Sequence, residues 1–223
     1  MHVCLFDIDG TLLSSGGAGK AAIESALCEE FGVALSAEVP YSGRTDRAIV
    51  RDLFRAHGVA ETPENLRRLL AGYLERLPRC LSAYKGRVLP GIAALLERIS
   101  GSPRFAVGLL TGNVRAGAEA KLGHYGLFHH FSFGGFGDDH FDRDDVAREA
   151  LGAISAHCAS PVLPERIWVI GDTPLDVRCA RCIGARAIAV ATGWTPMEDL
   201  ARAKPDLLLK DLSDPAPLLA LWD

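Results

Sequence analysis

Five short, near-continuous apolar runs punctuate the chain, at 2–6, 105–110, 167–170, 187–191 and 207–209. The first runs directly into Asp7, the second into Thr111, and the third through Gly171 into Asp172. Short runs of this kind predict strands buried on both faces, as in a parallel sheet. Between them apolar residues return at helical spacing over 91–99, 114–125, 144–157 and 174–183. The βαβα order predicts an α/β fold built on an open parallel sheet. Such sheets bind ligands beyond the carboxyl ends of their strands, so Asp7, Thr111 and Asp172 are expected in one crevice.

The segment 15–87 breaks the alternation. It predicts helices only, at 20–31, 44–57 and 63–84, with apolar positions such as Ile49, Leu53 and Phe54, or Leu66, Leu69, Leu70 and Leu74. Gly- and Pro-containing stretches bound it, from Ser14 to Gly19 and from Leu89 to Gly91. The expected organisation is an α/β core of residues 1–14 and 88–223, with a helical cap of residues 15–87 inserted after the first strand.

Composition narrows the class without choosing a function. A chain of 223 residues, 48% hydrophobic and 23% charged, can bury a core without staples. Its net charge of −4 and lack of Lys/Arg runs give no reason to expect nucleic acid or an anionic membrane surface as partner. No apolar run approaches membrane-helix length, and Asp7 comes too early for the apolar part of a secretory leader. The six cysteines are scattered, so a reducing, cytoplasmic setting is expected. Cys179 and Cys182 form a C-x-x-C without the further ligands of a zinc site; two small residues on one helix is the plainer reading.

Three strings carry candidate chemistry. In Asp7-Ile8-Asp9-Gly10-Thr11-Leu12 two carboxylates alternate at a strand end and project the same way. Left together they would repel, so a cation is expected beside them; a polar strand-to-loop junction is the alternative. Thr111-Gly112-Asn113 offers a hydroxyl and free backbone N–H groups to phosphoryl oxygens, or merely a helix cap. In Gly171-Asp172-Thr173-Pro174-Leu175-Asp176 two further carboxylates bracket a helix start. Asp7, Asp172 and Asp176 together can supply hard oxygen ligands to Mg²⁺; helix-start acids meeting the dipole are the alternative. The glycine-rich stretch around Lys20 departs from a phosphate-binding loop, because Ala21 stands where Ser or Thr is needed.

With these strings in this order the chain resembles the haloacid dehalogenase superfamily, in its phosphoglycolate-phosphatase-like branch. The resemblance spans essentially the whole chain and implies a Rossmann-like core with a helical cap. It implies that Asp7 is a nucleophile that takes a phosphoryl group. Asp9 would protonate the leaving oxygen and then deprotonate the attacking water. Mg²⁺ would be held by Asp7, the backbone carbonyl of Asp9 and Asp172, with Asp176 holding a bound water. Thr111, Gly112 and Asn113 would bind phosphoryl oxygens. The family's usual lysine motif is missing. Arg143 is the candidate for its charge, with Lys121 and Arg148 as alternatives. Gly43-Arg44-Thr45-Asp46 matches a string common in the family's cap loop, which implies substrate binding by Arg44 and Thr45. Otherwise Arg44 starts an exposed helix face and pairs with Asp46 or Glu38. The implied partner is a small phosphate monoester, on a monomer or homodimer. A dehalogenase or phosphonatase would lack Asp9; a sugar-phosphate mutase would keep every motif. A receiver-type signalling domain would place its acceptor on a later strand and lack the cap.

Overall fold

The computed structural model describes residues 1–222. The first apolar run forms β1 (His2–Phe6), whose Val3, Cys4, Leu5 and Phe6 are fully buried. After it come β2 (Leu13–Ser14) and three helices, α1 (Ala18–Phe31), α2 (Asp46–His57) and α3 (Pro63–Ala83). The chain then alternates through β3 (Arg87–Val88), α4 (Ile92–Ser100), β4 (Phe105–Leu110), α5 (Arg115–His124), β5 (Gly134–Gly135) and α6 (Arg143–His157). It closes with β6 (Ile167–Gly171), α7 (Pro174–Cys182), β7 (Arg186–Val190), α8 (Met197–Arg202), β8 (Leu207–Leu209) and α9 (Ala216–Ala220).

Six strands form one parallel sheet in the order β5-β4-β1-β6-β7-β8. Its two-residue side-chain period feeds two cores. Cys4 and Phe6 of β1 join Leu95 and Leu96 of α4, Leu122 of α5 and Leu218 of α9 on one face. Val3 and Leu5 join Val146 and Ala150 of α6, Ala180 of α7 and Leu200 of α8 on the other. Each large side chain so buried contributes roughly 1.5–3 kcal/mol, which is why β1 reads as an unbroken apolar run. At the amino ends of the strands Trp168 and Trp222 meet edge-on, ring centroids 6.4 Å apart.

The helices α1–α3 bury a third apolar cluster among themselves, including Leu27, Leu53, Phe54, Leu69, Tyr73 and Leu77. Their starts are set by side chains: Thr45 caps α2 through Ala48 N (3.1 Å), and Thr62 caps α3 through Asn65 N (3.1 Å), ahead of Pro63. The two chain crossings between these helices and the sheet run side by side, because β2 and β3 pair antiparallel, Leu13 with Val88 and Ser14 with Arg87. The two-residue strands β2, β3 and β5 are too short to carry a period in the sequence. In β5 both residues are glycines, so it has no apolar signal.

Candidate active site

The carboxyl ends of β1, β4 and β6 open into the expected crevice. Asp7 continues β1, its N–H bonded to Ile170 O at 2.9 Å, and its side chain is buried. Asp172 follows β6, and Asp176 lies in the first turn of α7. Carboxylate oxygens of Asp7, Asp172 and Asp176 lie within 4.8 Å of one another. The chain turns sharply at Gly10 (φ 88°), where a Cβ would stand 2.4 Å from Asp172 Oδ2. Thr11 Oγ1 donates to Asp172 Oδ1 (3.0 Å), and Thr192 Oγ1 donates to Gly10 O (2.6 Å). Gly193 lies directly against Asp172, and Trp194, the next residue, is 93% exposed.

One cation meets this cluster. Arg143 opens α6 behind the cap residue Asp142 and is only 3% exposed. Its guanidinium donates to Asp7 Oδ1 (3.3 Å), to Leu110 O (3.4 Å) and to Asp176 Oδ1. Asp176 is otherwise engaged by Thr173, whose hydroxyl (2.7 Å) and N–H (3.0 Å) both donate to Oδ2, the N–H bond being one arm of a capping box. Burial pushes Asp7 up to about 6 even though Arg143 pulls the other way. Burial, with Asp176 and Asp7 beside it, holds Asp172 well above the usual carboxylate range. Fully ionised, three carboxylates against one guanidinium would leave net negative charge in a buried space, and burial resists that state without a further cation. Hard oxygen donors without His or Cys among them fit Mg²⁺ better than zinc.

Asp9 stands apart from that cluster. Its side chain is 40% exposed, and its Oδ2 accepts from Lys121 Nζ (2.5 Å) and Asn113 Nδ2 (3.0 Å). Asn113 also donates to Thr111 Oγ1 (2.8 Å) and accepts from Lys121 at Oδ1 (2.6 Å). Thr111 is wholly buried, its N–H on Gly135 O of β5. Burial works against the Lys121 charge, but Asp9, Asp46 and Asp7 outweigh it and raise its pKa. The three cations weighed from sequence therefore separate: Arg143 touches Asp7, Lys121 touches Asp9, and Arg148 pairs with Asp145 (2.5 Å) on the surface.

The loop before α2 is docked on this crevice. Asp46 N donates to Gly112 O (2.8 Å), and Val114 N donates to Asp46 Oδ2 (2.9 Å). Gly43 (φ 69°) lies close to Thr173, where a Cβ would stand 2.9 Å from Oγ1. Thr45 caps α2 and donates to Phe141 O (3.2 Å). The Arg44 guanidinium turns back to Asp52 (2.5 Å) and Pro40 O (3.4 Å), neither of the pairings expected from sequence. The cysteine pair is quiet. Cys179 Sγ donates to Arg143 O (3.3 Å), burial raises its pKa to about 12, and all six cysteines are free.

Sequence reasoning missed Thr11 as the support of Asp172, Asp46 as the anchor of the α2 loop, and the 192–194 loop. Thr11 and Asp46 both lie inside strings that stand out in the sequence, but their partners are far along the chain, and the 192–194 loop has no local signal.

The family model for haloacid dehalogenase-like hydrolases matches residues 4–181. A phosphoglycolate phosphatase of Synechococcus elongatus is 32% identical over 214 residues, 96% of this chain and 95% of the relative. A validoxylamine A 7′-phosphate phosphatase of Streptomyces hygroscopicus subsp. limoneus is 28% identical over 221 residues, 95% and 94% of the two chains. The crystal structure of CbbY from Rhodobacter sphaeroides in complex with phosphate superposes with a TM-score of 0.77 at 21% identity, covering 96% of each chain. With a matched family model over most of its length, the chain belongs to the haloacid dehalogenase-like hydrolase family.

Proposed function

We propose that this hydrolase is a phosphatase acting on small anionic phosphate monoesters of the phosphoglycolate kind, through an aspartyl phosphate on Asp7. The observation that carries the reading is the division of labour in one crevice: a buried carboxylate on Arg143, and a second, half-open carboxylate on Lys121 and Asn113. The Synechococcus elongatus relative, a phosphoglycolate phosphatase, supports the substrate class, and the validoxylamine A 7′-phosphate phosphatase supports the phosphatase reading.

In this reading the Asp7 carboxylate attacks phosphorus in line, while Arg143 holds its Oδ1 and steadies the gathering negative charge. Asp9 gives its proton to the leaving oxygen, then takes one from the water that attacks the aspartyl phosphate. Thr111 and the backbone of Gly112 and Asn113 border the phosphoryl site. Asp7, Asp172 and the Asp9 carbonyl, with Asp176 behind them, would hold Mg²⁺, which would supply charge neutralisation there. Residues 15–87 act as the cap, docked on the crevice through Gly43 and Asp46. The six free cysteines suit a cytoplasmic setting, and among the described residues no helix is long and apolar enough to cross a membrane.

The decisive test of the acid–base half is Asp9→Asn. Turnover of an alkyl ester such as 2-phosphoglycolate should fall about 10²–10⁴-fold, the usual size of general acid–base catalysis. Phosphoryl transfer from p-nitrophenyl phosphate, whose leaving group needs no proton, should fall far less in a pre-steady-state burst. Equal losses for both esters would remove Asp9 from this role.

Substrate choice is the second test. If Arg44 leaves Asp52 to grip a substrate carboxylate, Arg44→Ala should lower the kcat/KM ratio of 2-phosphoglycolate to p-nitrophenyl phosphate. The expected drop is about 10-fold or more, the size of one charge-assisted pair. An unchanged ratio would mean that the ion pair with Asp52 is all that Arg44 does.

A further inference from the structure

We propose that Lys121 is a positioning residue for the acid–base step: together with Asn113 it occupies Asp9 Oδ2 and so confines the transferable proton to Oδ1. The inference rests on the acid–base reading of Asp9.

The two oxygens of Asp9 are in different company. Oδ2 receives an ammonium at 2.5 Å and an amide N–H at 3.0 Å. Among the described residues Oδ1 receives only the Ser15 hydroxyl, at 3.5 Å. A lysine ammonium carries donors and no acceptor, and an amide nitrogen likewise only donates. A proton on Oδ2 would therefore face two donors and could make no hydrogen bond to either. A proton on Oδ1 meets no such conflict. The Asn113 amide cannot be flipped to relieve it, because its Oδ1 is the acceptor for Lys121 (2.6 Å) and its Nδ2 donates to Thr111 Oγ1 (2.8 Å).

Lys121 is built into this position. It lies on α5, 5% exposed, with Gly19 of α1 close against its ammonium; a Cβ at Gly19 would stand 3.2 Å from Nζ. Asn113 is tied to the loop whose Gly112 and Val114 hold Asp46 of α2. The Asp9 carboxylate is thus clamped by a core helix, at the place where α1 and α2 close on the core.

In the chemical step the bond from phosphorus to the leaving oxygen breaks as the bond to Asp7 forms, and the Oδ1 proton passes to the leaving oxygen. In the second step water gives a proton to Oδ1 as its oxygen bonds phosphorus, the bond to Asp7 breaks, and phosphate departs. Both transfers use the same oxygen, so a carboxylate free to rotate would lose alignment in each.

The experiment compares wild type, Asp9→Asn, Lys121→Met, Lys121→Gln and the double variant Asp9→Asn/Lys121→Met, with Mg²⁺, on 2-phosphoglycolate and p-nitrophenyl phosphate. Steady-state KM and kcat and the pre-steady-state burst are measured. Lys121→Met should cut kcat on 2-phosphoglycolate about 10–100-fold, part of the full acid–base effect. KM should stay within about twofold and the p-nitrophenyl burst rate within about threefold of wild type. Lys121→Gln, which keeps a donor, should recover part of the loss. The double variant should be no worse than Asp9→Asn alone, because Lys121 acts through Asp9. Equal losses on both esters, additive losses in the double variant, a rise confined to KM, or unchanged kinetics would overturn the inference. So would failure of both Lys121 variants to fold, since the ammonium would then be a structural ion pair. If Asp9→Asn itself shows no difference between the esters, the acid–base reading fails first and Lys121 falls with it.

Discussion

Asp7→Asn should yield a folded protein with no measurable turnover, a loss of ~10⁴-fold or more, as for removal of other enzymatic nucleophiles. The replacement is nearly isosteric and keeps an oxygen for the Arg143 guanidinium, so the geometry behind β1 survives. What disappears is the charged oxygen that attacks phosphorus. Stability gives an independent check. Burial raises the Asp7 pKa to about 6 despite Arg143, so without a metal ion the ionised form above that pH costs folding free energy, and the penalty fades as pH falls below it. Asn carries no such cost. The metal-free variant should melt at or above the wild-type temperature at pH 7.5. Thermal melts and a p-nitrophenyl phosphate assay together check this. Residual turnover within tenfold of wild type would end the nucleophile assignment.

Chelation should silence the enzyme, and Mg²⁺ should restore it. The same ion should stabilise the fold, because three buried carboxylates cluster beside one guanidinium that bonds only Asp7 and Asp176 among them. At a hundredfold excess over its dissociation constant a ligand adds about 2.7 kcal/mol. In a chain of this size that amounts to a Tm rise of about 5–10 °C. Asp172→Asn removes the carboxylate whose one hydrogen-bond partner among the described residues is the Thr11 hydroxyl. The variant should lose the Mg²⁺-dependent rise and need millimolar Mg²⁺ or more for any activity. Its metal-free form should melt higher than metal-free wild type. Full activity in excess EDTA, or an undiminished Mg²⁺ shift in Asp172→Asn, would refute the site.

The sheet was legible in the sequence because each central strand is buried on both faces and so writes itself as an apolar run. The same physics placed Asp7, Thr111 and Asp172, since the residue ending such a strand must face the crevice. What stayed hidden was pairing across distance. Arg143, Lys121 and Arg148 all follow the second motif, and nothing local distinguishes the one that reaches Asp7 from the one that reaches Asp9. Helix register decides that: Arg143 is the first residue of α6, behind its Asp142 cap, whereas Arg148 is five residues further on and faces water. For Arg44 the resemblance implies substrate binding, and the alternative is the start of α2 with Asp46 or Glu38 as its partner. Thr45 caps the helix instead, leaving Arg44 outside it and within reach of Asp52. The β2–β3 ribbon was invisible, having two residues on each side, although the Gly and Pro residues around it marked where the chain leaves the sheet.

The three tryptophans divide the molecule optically. Trp168 and Trp222 are almost wholly buried and packed on each other at the far end of the sheet, so their emission belongs to the blue side of the spectrum and is shielded from acrylamide. Trp194 stands in water one residue beyond the glycine that lies against Asp172, so its emission is red-shifted and open to quencher. Quenching at the red edge should therefore follow the loop beside Asp172 while the blue edge follows the fold, so that a single unlabelled sample can separate a change at that loop from unfolding.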